Sequence, residues 1–164
     1  MFKNLILFSL LVCGILDFQS LSVIRGANFV TRSFKTPVIE SDISRITFIE
    51  NSWNGAIKKA AAEKKMIFVD AYAVWCAPCR QLKATTFKDK AAAAFFNKNF
   101  VNLSIDMEKG EGIRLAEKWG VEEFPTLIIL DHKGNIVTGN VGFMDAPGLI
   151  RLGQQALKKN KAGL

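Results

Sequence analysis

The run Met66-Ile67-Phe68-Val69-Asp70-Ala71-Tyr72 is apolar almost throughout, and three residues later comes Cys76-Ala77-Pro78-Cys79-Arg80. An uninterrupted apolar run is what a central strand covered on both faces requires. The stretch from Ala77 to Phe87 reads as helix. The chain must therefore fold a buried strand, a tight turn and a helix start together, with Cys76 at the junction. Two cysteines spaced this way can close into a small disulfide ring and reopen. They are equally half of many zinc sites. Position tips the balance toward redox chemistry. A cysteine at a helix N-terminus faces unpaired N–H groups and the positive end of the helix dipole, which favour the reactive thiolate.

The remaining elements can be read around that unit. Ile43, Ile46, Phe48 and Ile49 suggest a first strand ending near Glu50, with Asn51 or Ser52 as the N-cap of a helix running from Trp53 to about Lys65. Ala77 to Asn99 reads as helix with a break or bend at Thr85-Thr86, and its second piece packs through Ala91 to Ala94 and Phe95-Phe96. Phe100 to Asp106 is the next strand, and Glu111 to Trp119 a short helix stopped by Gly120. Thr126 to Leu130 and Ile136 to Val141 form a hairpin, and Ala146 to Lys159 a final amphipathic helix. The order β-α-β-α-β-α-β-β-α fits an α/β fold, a mixed central sheet with helices on both faces.

The N-terminal segment points to export. Residues 1–22 read as a signal peptide: Lys3 gives a short positive region, Leu5 to Leu16 is apolar, and Ser20-Leu21-Ser22 offers a cleavage site. The apolar run falls short of the roughly 20 residues that a membrane span needs. Leu10-Leu11-Val12-Cys13 partly resembles a lipobox, so anchoring through Cys13 or through the segment itself is the minority alternative. Residues 23–38 read as a flexible connector and 39–164 as the folded domain. The location expected is periplasmic or secreted. Removing the leader leaves Cys76 and Cys79 as the domain's only cysteines, which suits a pair that exchanges disulfides. The net charge of +7 comes from dispersed lysines without an aromatic-interleaved basic stripe, so no nucleic-acid partner is expected.

Phe68 to Arg80 looks like the active-site region of thioredoxin-like proteins, and Glu123-Phe124-Pro125-Thr126-Leu127-Ile128-Ile129-Leu130 resembles their cis-proline loop and the strand after it. The resemblance runs from about Ile43 to Lys159. Thr86-Phe87 and Gly142-Phe143-Met144-Asp145-Ala146 resemble the C-terminal domain of the membrane thiol-disulfide interchange protein DsbD and its secreted relatives. The resemblance implies a thioredoxin-like fold and thiol–disulfide exchange. Cys76, the more exposed and more acidic thiol, would attack a substrate disulfide, and Cys79 would resolve the mixed disulfide. Asp70 would be the buried proton acceptor for Cys79. Pro125 would be cis, and Trp75, Phe124, Pro125 and Thr126 would contact substrate. Neither cofactor nor metal is expected. A chain of this kind is expected to be a monomer that reduces disulfide-containing envelope proteins and draws electrons from a membrane thiol-disulfide donor.

One departure and several alternatives stand beside this reading. Thioredoxin carries a lysine on its third strand near the buried acid, and the matching position here is the uncharged Asn102. Arg80 could favour the thiolate or turn to solvent. With no charge between the cysteines, a reductase is favoured over an oxidase. A reductant for cytochrome c maturation and a non-catalytic binding or chaperone module are the other functional readings. A zinc site would need a dimer sharing two cysteine pairs, because His132, the only histidine, belongs to the hairpin turn.

Overall fold

The computed structural model describes residues 44–162. The leader, the connector, Cys13 and Ile43 lie outside the described residues. The elements run β1 (Ile49–Glu50), α1 (Trp53–Glu63), β2 (Met66–Tyr72), α2 (Ala77–Ala84), a 3-10 turn (Thr86–Lys88), α3 (Lys90–Asn99), β3 (Phe100–Asp106), α4 (Glu111–Trp119), β4 (Thr126–Leu130), β5 (Ile136–Val141) and α5 (Ala146–Ala162). The five strands form one mixed sheet in the order β1-β3-β2-β4-β5. β1, β3 and β2 are parallel, and β4 runs antiparallel to both β2 and β5.

β2 is paired along both edges and covered on both faces, which is why its sequence is apolar at successive positions rather than alternating. Phe68, Leu127 and Ile129 pack against Leu82, Phe96 and Leu149 of α2, α3 and α5. Ile67, Val69 and Ile128 pack on the opposite face against Ala60 of α1 and Leu115 of α4. Buried Ala92 and Ala93 bring α3 close to the sheet. That lets Phe96 sit 4.6 Å from Phe68 and stack on Phe100 at 5.0 Å, centroid to centroid.

The first strand is shorter than its apolar residues suggest. Only Ile49 and Glu50 pair with β3. Upstream, the Ile46 N–H donates to the Phe87 carbonyl, the Thr47 N–H to Asn97 Oδ1, and Asn102 Nδ2 to the Thr47 carbonyl. Those backbone groups are satisfied outside a ladder, so no strand is needed there. Ser52 is the cap of α1, its Oγ accepting from the Gly55 N–H.

The expected break falls at Thr85-Thr86. Asp89 starts α3 by accepting the Ala92 N–H at 2.8 Å. Thr86 Oγ1 donates to the Met144 carbonyl at 2.8 Å, joining the end of α2 to the loop before α5. α4 meets β3 through a glycine. A Cβ added at Gly112 would overlap the Asp106 carbonyl oxygen and come within 2.8 Å of its carbon.

Candidate active site

The C-terminal ends of β2 and β3 carry the site. β2 delivers the chain to the turn Ala73-Val74-Trp75, and Cys76 caps α2 with an extended backbone. Its Sγ accepts the Cys79 N–H at 3.1 Å. Pro78 falls in the first turn, where the N–H it lacks would have had no intrahelical partner. Cys76 and Cys79 are joined as a disulfide, Cα to Cα 5.3 Å.

In this oxidised form the two cysteines are equally hidden, Cys76 1 % exposed and Cys79 2 %. The expectation that Cys76 is the more exposed thiol concerns the reduced pair; in the closed disulfide neither cysteine stands out. Ala73, Tyr72 and Phe124 pack against the closed pair. Arg80 is turned onto the backbone ahead of α2. Its Nη1 donates to the carbonyls of Trp75 (3.0 Å) and Val74 (3.3 Å), clasping the turn.

An apolar rim surrounds the pair. Trp75 is 64 % exposed. Its ring meets Phe124 edge-on at 5.9 Å, and its Nε1 donates to Glu108 Oε2 at 2.9 Å. The Phe124–Pro125 peptide bond is cis. The Pro125 carbonyl accepts the Gly142 N–H at 2.7 Å, which ties this loop to the end of β5. Thr126 is buried, and its hydroxyl donates to the Glu123 carbonyl at 2.6 Å. That hydroxyl is used inside the loop, and the Thr126 backbone is in register with Ala71 of β2 and Val141 of β5.

Asp70 shares the β2 face of Phe68 and is fully buried. Oδ2 accepts the Ser104 hydroxyl at 2.9 Å and lies 3.9 Å from Lys83 Nζ. Oδ1 has no hydrogen-bond partner among the described residues. Burial pushes the carboxyl up to about 6 from an ordinary 3.8; the Lys83 charge and the Ser104 hydrogen bond oppose the rise, and the Glu50 charge adds to it.

The Asn102 position does not do what its alignment with a relay lysine suggests. Asn102 sits opposite Phe68 in the β2–β3 ladder, two residues short of Asp70, which faces Ser104. Its amide donates to the Thr47 carbonyl and to Asn97 Oδ1. The neighbours of Asp70 that sequence reasoning missed are Ser104 and Lys83. The first needed the strand register. The second had a signal, because Lys83 follows Cys79 by four residues and so shares its helix face. Tyr72, Ala73, Val74, Cys79, Arg80 and Lys83 line a cleft of about 200 Å³ beside the disulfide. His132 is exposed in the turn at the far end of β4 from Pro125. Among the described residues no group of three or more His, Cys, Asp or Glu side chains comes together as a metal site.

Comparison with known proteins places this geometry. The family model described as a thioredoxin-like domain matches residues 53–157. The thiol:disulfide interchange protein DsbD of Yersinia pestis is 32% identical over 90 residues, 53% of this chain and 15% of that protein. The chain thus corresponds to a small part of such a relative. The solution structure of a candidate disulphide-isomerase from Bacteroides thetaiotaomicron superposes with a TM-score of 0.63 at 43% identity, over 70% of this chain and 95% of that one. A thioredoxin from Thermus thermophilus gives the same TM-score at 22% identity, over 73% and 95% of the two chains, and so speaks to the fold.

Proposed function

Because this chain belongs to the thioredoxin-like domain family of thiol–disulfide oxidoreductases, we propose that it is an extracytoplasmic reductase of protein disulfides working through Cys76 and Cys79. The observation that carries this reading is the pair itself: a closed disulfide at the cap of α2, under a rim that leaves Trp75 in solvent. In the dithiol form Cys76 sulfur attacks a substrate disulfide, and the departing substrate sulfur takes a proton. Cys79 then gives its proton to Asp70 and attacks Cys76. The Cys76–Cys79 bond forms, the bond to substrate breaks, and two electrons have passed to the substrate. Trp75 and Phe124 supply apolar contact, and the backbone near Phe124, ahead of the cis bond, offers hydrogen bonds to an extended segment.

The export reading rests on residues 1–22, and the domain scheme of signal peptide, connector 23–38 and domain 39–164 is part of the proposal. No helix among the described residues is long and apolar enough to cross a membrane. Envelope proteins with disulfides are the substrates proposed, and a membrane thiol-disulfide protein is the electron donor proposed. The likeness to a candidate disulphide-isomerase favours isomerisation as a second reading, since both reactions begin with the same attack by Cys76.

The test is turnover of a disulfide-bonded protein such as insulin by the full chain with dithiothreitol, beside reactivation of scrambled ribonuclease. Faster insulin reduction than ribonuclease reactivation supports the reductase; the reverse supports the isomerase; neither refutes both. Trp75→Ala in the same assay is expected to raise KM for the protein disulfide about tenfold, about 1.4 kcal/mol of binding. The rate with oxidised glutathione should stay within about twofold. Equal losses on both substrates would remove Trp75 from substrate binding.

A further inference from the structure

Lys83 is drawn into the site although its position allows it to leave. It stands on α2 one turn beyond Cys79, and its side chain keeps 39 % of its surface exposed. A long cationic side chain on such a face ordinarily extends its ammonium into water. Here Nζ instead lies over the Tyr72 ring, 3.5 Å from the centroid, and 3.9 Å from Asp70 Oδ2. The aromatic face holds the cation, and the buried carboxylate gives it a direction. The second distance is too long for a hydrogen bond, so the link to Asp70 is coulombic.

Among the described residues Lys83 is the one cation within 4 Å of Asp70. From β3 the carboxyl meets the Ser104 hydroxyl. From β1 the Glu50 carboxylate acts on it with like charge. β4 offers apolar Leu127 in register. Tyr72, on β2 itself, contributes a phenol whose proton affinity is raised mainly by burial. Cys79 and Lys83 of α2 line the same cleft. Asp70 has no solvent exposure of its own, so Lys83 connects it to the space that Cys79 borders.

We propose that Lys83 is a positioning residue for thiol–disulfide exchange, the charged link through which the buried Asp70 serves the cleft lined by Cys79. The inference rests on the reductase reading and adds a residue to it. In the resolving step the Cys79 proton passes to Asp70 while Cys79 sulfur bonds to Cys76 and the substrate sulfur leaves with its electron pair. A nearby ammonium favours the ionised carboxylate that must accept this proton. Without it Asp70 remains protonated to higher pH, and the step should begin at higher pH.

The experiment uses the reduced full chain and its Lys83→Met, Lys83→Arg, Asp70→Asn and Asp70→Asn/Lys83→Met forms. Each is mixed with oxidised glutathione between pH 5 and 9, and acid-quenched samples are weighed by mass spectrometry. Formation and loss of the mixed disulfide then separate the two attacks. The expected result is that Lys83→Met moves the midpoint of the resolving phase upward by about one pH unit. Lys83→Arg should keep the parent midpoint, and the double variant should match Asp70→Asn. An unchanged midpoint in Lys83→Met would overturn the proposal, as would an equal shift in the Asp70→Asn background, which would make Lys83 act on Cys79 directly. A parent chain that forms no mixed disulfide at all would overturn the reductase reading and this inference with it.

Discussion

Cys76→Ser is expected to lower disulfide reduction by roughly four orders of magnitude or more, to the uncatalysed background, because the attacking sulfur is gone. Cys79→Ser should behave differently. Cys76 can still attack, and the mixed disulfide with substrate should accumulate because nothing resolves it. The asymmetry follows from position. Cys76 caps α2 with its sulfur against a first-turn N–H, whereas Cys79 lies one turn in and lines the cleft that holds Lys83. Mass spectrometry of peptides spanning residues 76–79 after reaction with insulin checks the order of attack. Trapping with Cys76→Ser and none with Cys79→Ser would reverse the assignment.

Asp70→Asn should move two observables in opposite directions. Resolution of the mixed disulfide should slow about 100-fold at pH 7–8, the usual effect of losing a positioned proton acceptor, while the first attack stays nearly unchanged. Stability should rise. The folded protein holds the Asp70 proton to about pH 6 whereas the unfolded chain releases it near 3.8. Relative to the unfolded state, the protonated carboxyl is therefore favoured on folding. Its contribution is fully present below about pH 4 and is lost as pH rises through 6. Above that, keeping an ionised Asp70 buried costs the fold up to about 3 kcal/mol. Urea unfolding of the oxidised full chain should show Asp70→Asn more stable than the parent at pH 8 and the two converging at pH 4. A constant difference across that range would mean that Asp70 does not titrate in the folded protein.

Much of this site was legible because strong local signals coincide with it. The apolar run of β2 could only be a central strand, and Asp70 stood out in it because a carboxylate among such residues is costly without a role. Cys76 read as standing at a helix start. Other features depend on relations that periodicity does not carry. β1 shrinks to Ile49–Glu50 because Ile46 and Thr47 find partners in Phe87 and Asn97. Asn102 and Ser104 share one face of β3, and only the register with β2 decides which of them meets Asp70. The inward turn of Lys83 is a choice of side-chain conformation made by Tyr72 and Asp70 together. The Thr86–Met144 hydrogen bond likewise unites two segments that the sequence presents 58 residues apart.

The measurement that bears most directly on a reducing dithiol is the equilibrium between Cys76–Cys79 and graded dithiothreitol or glutathione buffers. The full chain is alkylated at each point, and the peptides bearing Cys76 and Cys79 are weighed to report their oxidation alone. Reversible two-electron exchange with a potential near that of thioredoxin, about −270 mV, is the result predicted. A potential near about −120 mV would make the pair an oxidant and contradict the direction of electron flow, and a pair that stays open in oxidising buffer would contradict the redox function itself.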